Sequence, residues 1–326
     1  MSDPRAVTAG GLEFGAHLPL IDFEGVGWSL ADLVAFARTA DELGYTFLCA
    51  NDHLVFTRPW LDGPTALASV VGASGSMRLA TTVALPVVRG PAPLAKTLAA
   101  IDLLSGGRLV IGVGPGSSAR DYETVGLDWG ERWKRLDEAT RSLRALLHAG
   151  VPGVDGAFYS TAGIELESRP QQTPGPPIWV GSWGSKPGIR RVATLADGWL
   201  ASAYNTTPER FGAGLAQLRI ELEARGRDPD TFPNGLATLW TYVTESSDDE
   251  ERILSSVLSP LVRRGVDELR RLYLPIGSAE TCAERLTAFA GAGVQRMFVW
   301  PLADPLEQLE LFQTRVAPLV RSAVGR

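Results

Sequence analysis

Three short stretches of this 326-residue chain combine residue types that do chemistry. The first is Asn51-Asp52-His53, an acid beside an imidazole, directly after the apolar run 46–50. Imidazole is the side chain whose ordinary pKa lets it give and take protons near neutral pH, and a positioned histidine is the commonest general acid or base. The second is Gly112-Val113-Gly114-Pro115-Gly116, where main chain without side chains lets a flat ring or a phosphate come close. Its spacing is not G-x-G-x-x-G and it follows a fourth strand rather than a first one, so it is no dinucleotide fingerprint. The third is Gly181-Ser182-Trp183-Gly184-Ser185, small and hydroxyl residues at a helix start, where unpaired N–H groups and the helix dipole favour an anion. Lone histidines are usually structural, and His17 and His148 are read that way.

Each of these stretches ends a predicted strand. Residues 79–116 read as strand, loop, helix, strand and Gly-rich loop: Leu94, Leu98, Ile101 and Leu104 give the helix one apolar stripe, and Ser105-Gly106-Gly107 stops it. A strand, helix and strand so joined make the two strands parallel. The same reading predicts strands over 12–18, 46–50, 79–85, 108–114, 178–181, 197–201, 236–244 and 296–300, interleaved with helices. The first helix starts at Ser29 as cap and another at Thr207 before Pro208. No composition break marks a second domain. The expected architecture is α/β, a single (β/α)8 TIM barrel over 1–326 with insertion loops, and an open doubly wound sheet is the alternative. In a parallel barrel the C-terminal strand ends build the active site, which is where His53 and both glycine stretches fall. Residues 150–177 are long for a connection inside a barrel and read as an insertion or lid.

Composition narrows the partners. With 45% hydrophobic and 21% charged residues and a net charge of −6, the chain has no basic block or stripe, which argues against nucleic acid. No apolar run is long enough to span a membrane, and the first residues, Met1 to Arg5, lack the plan of a signal peptide, so a cytoplasmic location is expected. Cys49 and Cys282 are too few for a disulfide framework or a zinc cluster, and both are expected reduced and buried. No G-x-S-x-G elbow, H-E-x-x-H, Walker loop or His/Cys cluster occurs, so neither a hydrolase nor a metal site is expected.

The 79–116 run, with its Leu-Ser-Gly-Gly-Arg turn followed by Gly-Val-Gly-x-Gly, resembles the signature segment of the bacterial-luciferase-like family of flavin-dependent oxidoreductases. The resemblance implies a TIM barrel that holds FMN or the deazaflavin coenzyme F420. It implies catalytic roles for His53 and Asp52, with Asp52 also facing the cofactor ring. Cofactor contacts are implied for Gly114, Pro115 and Gly116, and for Gly181, Ser182, Trp183 and Gly184. At Thr82-Val83 it implies a non-proline cis peptide forming a bulge against the ring. The Asp-His pair and the Gly-Val-Gly-x-Gly loop look more like the F420-dependent branch, in which a hydride passes between cofactor and substrate; FMN-dependent monooxygenation is the alternative. A non-catalytic flavin-binding or partner protein is the competing class. The chain departs from the sugar-phosphate dehydrogenases of the deazaflavin branch, which place an acid where Ser117 stands, and Lys96, Lys134 and Lys186 are its only lysines. A small neutral or aromatic substrate is therefore expected, in a pocket lined by Trp60, Tyr204 and Trp240, with Trp183 and Trp300 as further candidates. A homodimer is compatible with all of this.

Overall fold

A computed structural model describes residues 11–23, 25 and 27–325; the Met1 to Arg5 segment weighed above lies outside them. The strands are β1 (Glu13–His17), β2 (Phe47–Ala50), β3 (Arg78–Ala84), β4 (Leu109–Val113), β5 (Ile178–Gly181), β6 (Gly198–Ser202), β7 (Asn234–Val243), β8 (Ile276–Gly277) and β9 (Arg296–Pro301). Every pairing between these strands is parallel. β1 to β7 neighbour one another in sequence order except that β9 stands between β7 and β1, and the pairing of β6 with β7 closes the ring. Eight strands thus form a barrel, and β8 lies outside it, paired only with the far end of β7 through Tyr242 and Val243. The eight predicted strands are the eight barrel strands. The two-residue β8 carries too little pattern to be legible.

Alternation along the strands sorts the core into two layers. Phe47, Cys49, Ala80, Val110, Trp179, Leu200, Ala237 and Phe298 fill the barrel, while Leu48, Leu79, Ile111 and Val180 face the helices. Glu13 plugs the N-terminal end, pairing with Arg78 at 3.0 Å and with buried Arg296 at 2.7 Å. Val83 packs on the filled interior from the opposite end. The helices begin where cap chemistry places them: Ser29 Oγ accepts from the Asp32 N–H at 3.1 Å, and Thr207 Oγ1 accepts from the Arg210 N–H at 3.3 Å ahead of Pro208.

One expectation is corrected. The stretch read as a loop after strand 79–85 is not a plain loop; it holds the short helix Pro86–Arg89, which puts Arg89 beside the end of β2. Residues 150–177 form a long connection from helix to strand. They join the C-terminal end of helix Arg132–Leu147 to the first residue of β5, so they leave from and return to the N-terminal rim. There Gln172 donates from its N–H to Asp102 at 3.0 Å and from its side chain to the Leu109 carbonyl at 2.8 Å. The middle of the segment climbs the outer wall, where the Glu138 carboxylate accepts from the N–H groups of Ala157 at 3.0 Å and Phe158 at 2.7 Å and also from Tyr159. The segment is a strap against a helix.

Candidate active site

The C-terminal ends of the strands form a mouth with two chemically different arcs. At β2 the chain leaves the barrel as Asn51-Asp52-His53, and both titratable side chains are buried and partnered. His53 Nδ1 donates to Asp121 Oδ2 at 2.7 Å, while Asp121 Oδ1 accepts the N–H groups of Leu54 and Val55, each at 2.9 Å. Asp121 is 0% exposed and lies in the helix Ala119–Thr124 that follows the glycine loop of β4. One carboxylate therefore fixes both the ring and the main chain that carries it, with the proton on Nδ1 and Nε2 left as the exchangeable nitrogen. Asp52 is used differently. Its two oxygens receive Arg89 Nε and Nη2, each at 2.6 Å, the Leu85 N–H reaches it at 3.3 Å, and Arg89 also pairs with Asp62. A carboxylate held by a guanidinium fork is a strut joining β2 to the segment after β3, with both oxygens engaged.

The glycine arc runs over β3, β4 and β5. The Thr82-Val83 bond is cis, and the Asn51 amide donates to the Thr82 carbonyl at 3.2 Å. Val83 sits between two bare glycines. A Cβ on Gly114 would lie 2.8 Å from Val83 Cγ2, and one on Gly181 would lie 3.3 Å from Val83 Cγ1. Gly116 turns with φ +79°, and the Pro115 carbonyl accepts the Tyr122 hydroxyl at 2.6 Å, which pins the loop. After β5, the Gly184 N–H donates to Ser182 Oγ at 3.3 Å, Ser185 caps helix Lys186–Leu195, and the Trp183 side chain is 60% exposed. Thr82, Val83, Gly114, Pro115, Gly116 and the 181–184 loop thus come together on adjacent strands, around backbone cleared of side chains.

The aromatic arc faces it from β1, β2, β6, β7 and β9. Trp300 stands at its centre: Trp60 packs edge-on at 5.7 Å, Trp240 at 6.1 Å, and the ring of His17 stacks on it at 3.6 Å with 14° between planes. Tyr204 extends the row from Trp240 at 5.1 Å, and His53 joins it through Trp60 at 4.7 Å. Burial with no charged partner pushes the His17 imidazole from the ordinary 6.5 down to about 3, against a smaller upward pull from its bond to Leu18. The folded form therefore refuses a proton that the unfolded chain accepts. Stability is full above pH ~6.5 and is expected to fall as the solution is acidified toward pH 3, by about 1.4 kcal/mol per pH unit from this group. Melting temperatures of His17→Leu between pH 4 and 7 should show a distinctly flatter acid slope than wild type, and an identical slope would refute the assignment.

These features have counterparts among known proteins. The model of the family described as luciferase-like monooxygenase matches residues 18–268. The chain belongs to the luciferase-like family. Within it, the chain is 27% identical to the F420-dependent hydroxymycolic acid dehydrogenase of Mycobacterium tuberculosis, over 89% of this chain and 84% of that one. It is 28% identical to the F420-dependent glucose-6-phosphate dehydrogenase of Nakamurella multipartita, over 91% of this chain and 94% of that one. An F420-dependent secondary alcohol dehydrogenase in complex with an F420-acetone adduct has the same fold, with a TM-score of 0.82 at 17% identity, covering 96% of this chain and all of that one. The luciferase-like chain is thus a flavin-type oxidoreductase, and no cluster of metal-ligating side chains stands among its described residues. No described helix is long and apolar enough to cross a membrane.

Sequence reasoning missed three residues of this luciferase-like mouth. Asp121 was not singled out, yet an acid five positions after the last glycine of a loop two strands away from His53 is a recognisable signal. Arg89 was hidden by reading the stretch after residue 85 only as a loop. His17 was assigned a structural place by default, although it ends the first strand as His53 follows the second.

Proposed function

We propose that this chain transfers a hydride between coenzyme F420 and a small neutral organic substrate, with His53 as the proton carrier and Asp121 as its positioning partner. The observation that carries the reading is the division of the mouth into a glycine arc and an aromatic arc with His53 between them. The glycine arc suits a flat ring: Val83 lies against the bare backbone of Gly114 and Gly181, where any added Cβ would push it out of place, and buried Thr82 Oγ1 has no partner among the described residues. The 181–185 loop, at the start of helix Lys186–Leu195, suits the phosphate end. When bound there, F420 supplies the two-electron chemistry by giving or taking a hydride at its ring. The chain's own residues hold the ring, exclude water and move the proton that the substrate oxygen gains or loses. His53 Nε2 is the atom for that proton, because Nδ1 is committed to Asp121.

Both dehydrogenase relatives use F420 by name, which favours it over FMN, and the monooxygenase description of the family keeps FMN as the second reading. A sugar phosphate fits poorly. Ser117 follows the glycine loop, and Arg264, which stacks on Tyr204 at 4.2 Å, is paired with Glu268 at 3.3 Å. The deciding experiment is an absorbance titration of the purified protein with F420 and with FMN, each oxidised and reduced. F420 is expected to bind saturably with a shifted spectrum and at least tenfold more tightly than FMN. Tighter binding of FMN would move the protein to the monooxygenase branch, and no saturable binding of either would overturn the proposal.

A further inference from the structure

Several buried side-chain polar atoms among the described residues have no hydrogen-bond partner. Four of them, His17 Nε2, Trp60 Nε1, Thr82 Oγ1 and Trp240 Nε1, belong to residues of the mouth. Buried polar groups are paired in the great majority of cases, so such a concentration at one end of the barrel marks groups whose partner is a ligand. Thr82 belongs to the glycine arc. The other three lie around Trp300 on the aromatic arc, which the function proposed above leaves to the substrate.

The polarity of these three atoms can be assigned. Both indole nitrogens are donors only. In His17, Nδ1 lies 2.8 Å from the Leu18 carbonyl, and a carbonyl can only accept, so Nδ1 carries the hydrogen and Nε2 is a bare acceptor. The ring is 1% exposed and clamped by its stack on Trp300, so this tautomer and orientation are fixed. The carbonyl does not depend on the histidine, since the Leu20 N–H also reaches it at 2.9 Å.

We propose that His17 is a specificity-determining residue, whose Nε2 accepts a hydrogen bond from a neutral donor on the substrate while the indole N–H groups of Trp60 and Trp240 donate to its acceptors. Resting on the reading of the aromatic arc as the substrate side, the inference names the substrate class: a neutral, flat or apolar carbonyl compound, or its alcohol, that carries a further hydroxyl or amide N–H. Anions are disfavoured, because a carboxylate or phosphate brings only acceptors to His17.

The test uses the protein loaded with oxidised F420, in which a ketone cannot be reduced, and two ketones that differ by hydroxyl against methyl: 3-hydroxyacetophenone and 3-methylacetophenone. Calorimetric titration should show the hydroxy compound binding about tenfold more tightly, the worth of one net hydrogen bond in a buried site. In His17→Leu the preference should fall to within twofold, with no loss of melting temperature at pH 7. In His17→Gln, whose amide oxygen still accepts, part of the preference should return. Equal affinities in wild type, or no binding of either ketone with the cofactor in place, would overturn the inference, as would a His17→Leu protein that melts earlier and keeps the preference. Failure to load F420 at all is a different result and counts against the function proposed above.

Discussion

His53→Ala is expected to lower the rate of hydride exchange, followed as the change in F420 absorbance with a saturating alcohol or ketone, by about 10²–10⁴-fold, the usual contribution of one positioned acid or base. The affinity for F420 should stay within a few-fold of wild type, since the cradle of Val83 and the glycines is built on other strands. Asp121→Asn gives the informative companion. An asparagine can still accept the Leu54 and Val55 N–H groups, which now share Asp121 Oδ1, but it then turns its amide NH2 toward His53 Nδ1. That would force the proton onto Nε2 and remove the lone pair there that takes a proton from an alcohol. Alcohol oxidation should therefore suffer more in Asp121→Asn than ketone reduction does, an asymmetry that a merely structural aspartate would not produce. A His53→Ala protein with unchanged turnover would remove His53 from the chemistry, and equal losses in both directions for Asp121→Asn would make the aspartate a loop anchor only.

How much of this was legible beforehand depends on the range of the interaction. The barrel was readable because each strand is a short apolar run between turn signals, and parallel order follows from the helices between them. The glycine stretches were readable because the absence of side chains is itself a local property. The His53 to Asp121 bond was not, since it joins residues 68 positions apart and depends on how the loops after β2 and β4 fold over the strand between them. The fork from Arg89 to Asp52 likewise needs the short helix after β3, which a lone Pro86 signals only as an interruption. His17 shows the limit most clearly: its residue type and strand-end position were visible, but its value lies in an unpaired nitrogen and a stacked tryptophan 283 positions away. The strap at 150–177 is a case of a different kind. Length alone suggested an insertion or lid, and the sense of the connection, helix end to strand start, adds that both its ends lie at the N-terminal rim.

Gly114→Val is expected to weaken F420 binding by 100-fold or more while the barrel still folds. Gly114 and Gly181 leave room on both sides of Val83, and a Cβ at 114 would already stand 2.8 Å from Val83 Cγ2 before the two further methyls of valine are added. The β4 backbone is fixed there, with the Gly114 N–H donating to the Ala84 carbonyl at 3.1 Å and Pro115 held by Tyr122, so the new side chain can only displace Val83 or fill the cradle. Overpacking of this kind costs about 1–3 kcal/mol of stability, which a barrel of this size tolerates, whereas a filled cradle leaves a flat ring no place. Gly184→Val should act differently. Nothing crowds its Cβ, the nearest atom being the Arg210 carbonyl oxygen at 3.9 Å, but φ is +88°, a region that a β-branched residue strongly resists. Its effect should be a rearranged 181–185 loop and a smaller loss of affinity, about tenfold. The clash at 114 can be isolated with a cycle of Gly114→Ala, Val83→Ala and the double variant. Each single change should weaken F420, one by crowding and the other by removing a wall of the cradle, and the double variant should bind more tightly than their summed losses predict, because the shortened side chain at 83 makes room for the methyl at 114. Dissociation constants from absorbance titration, with a melting curve for each variant, decide it: additive losses in the cycle, or a Gly114→Val protein that binds F420 within twofold of wild type, would show that the ring lies elsewhere than between these strands.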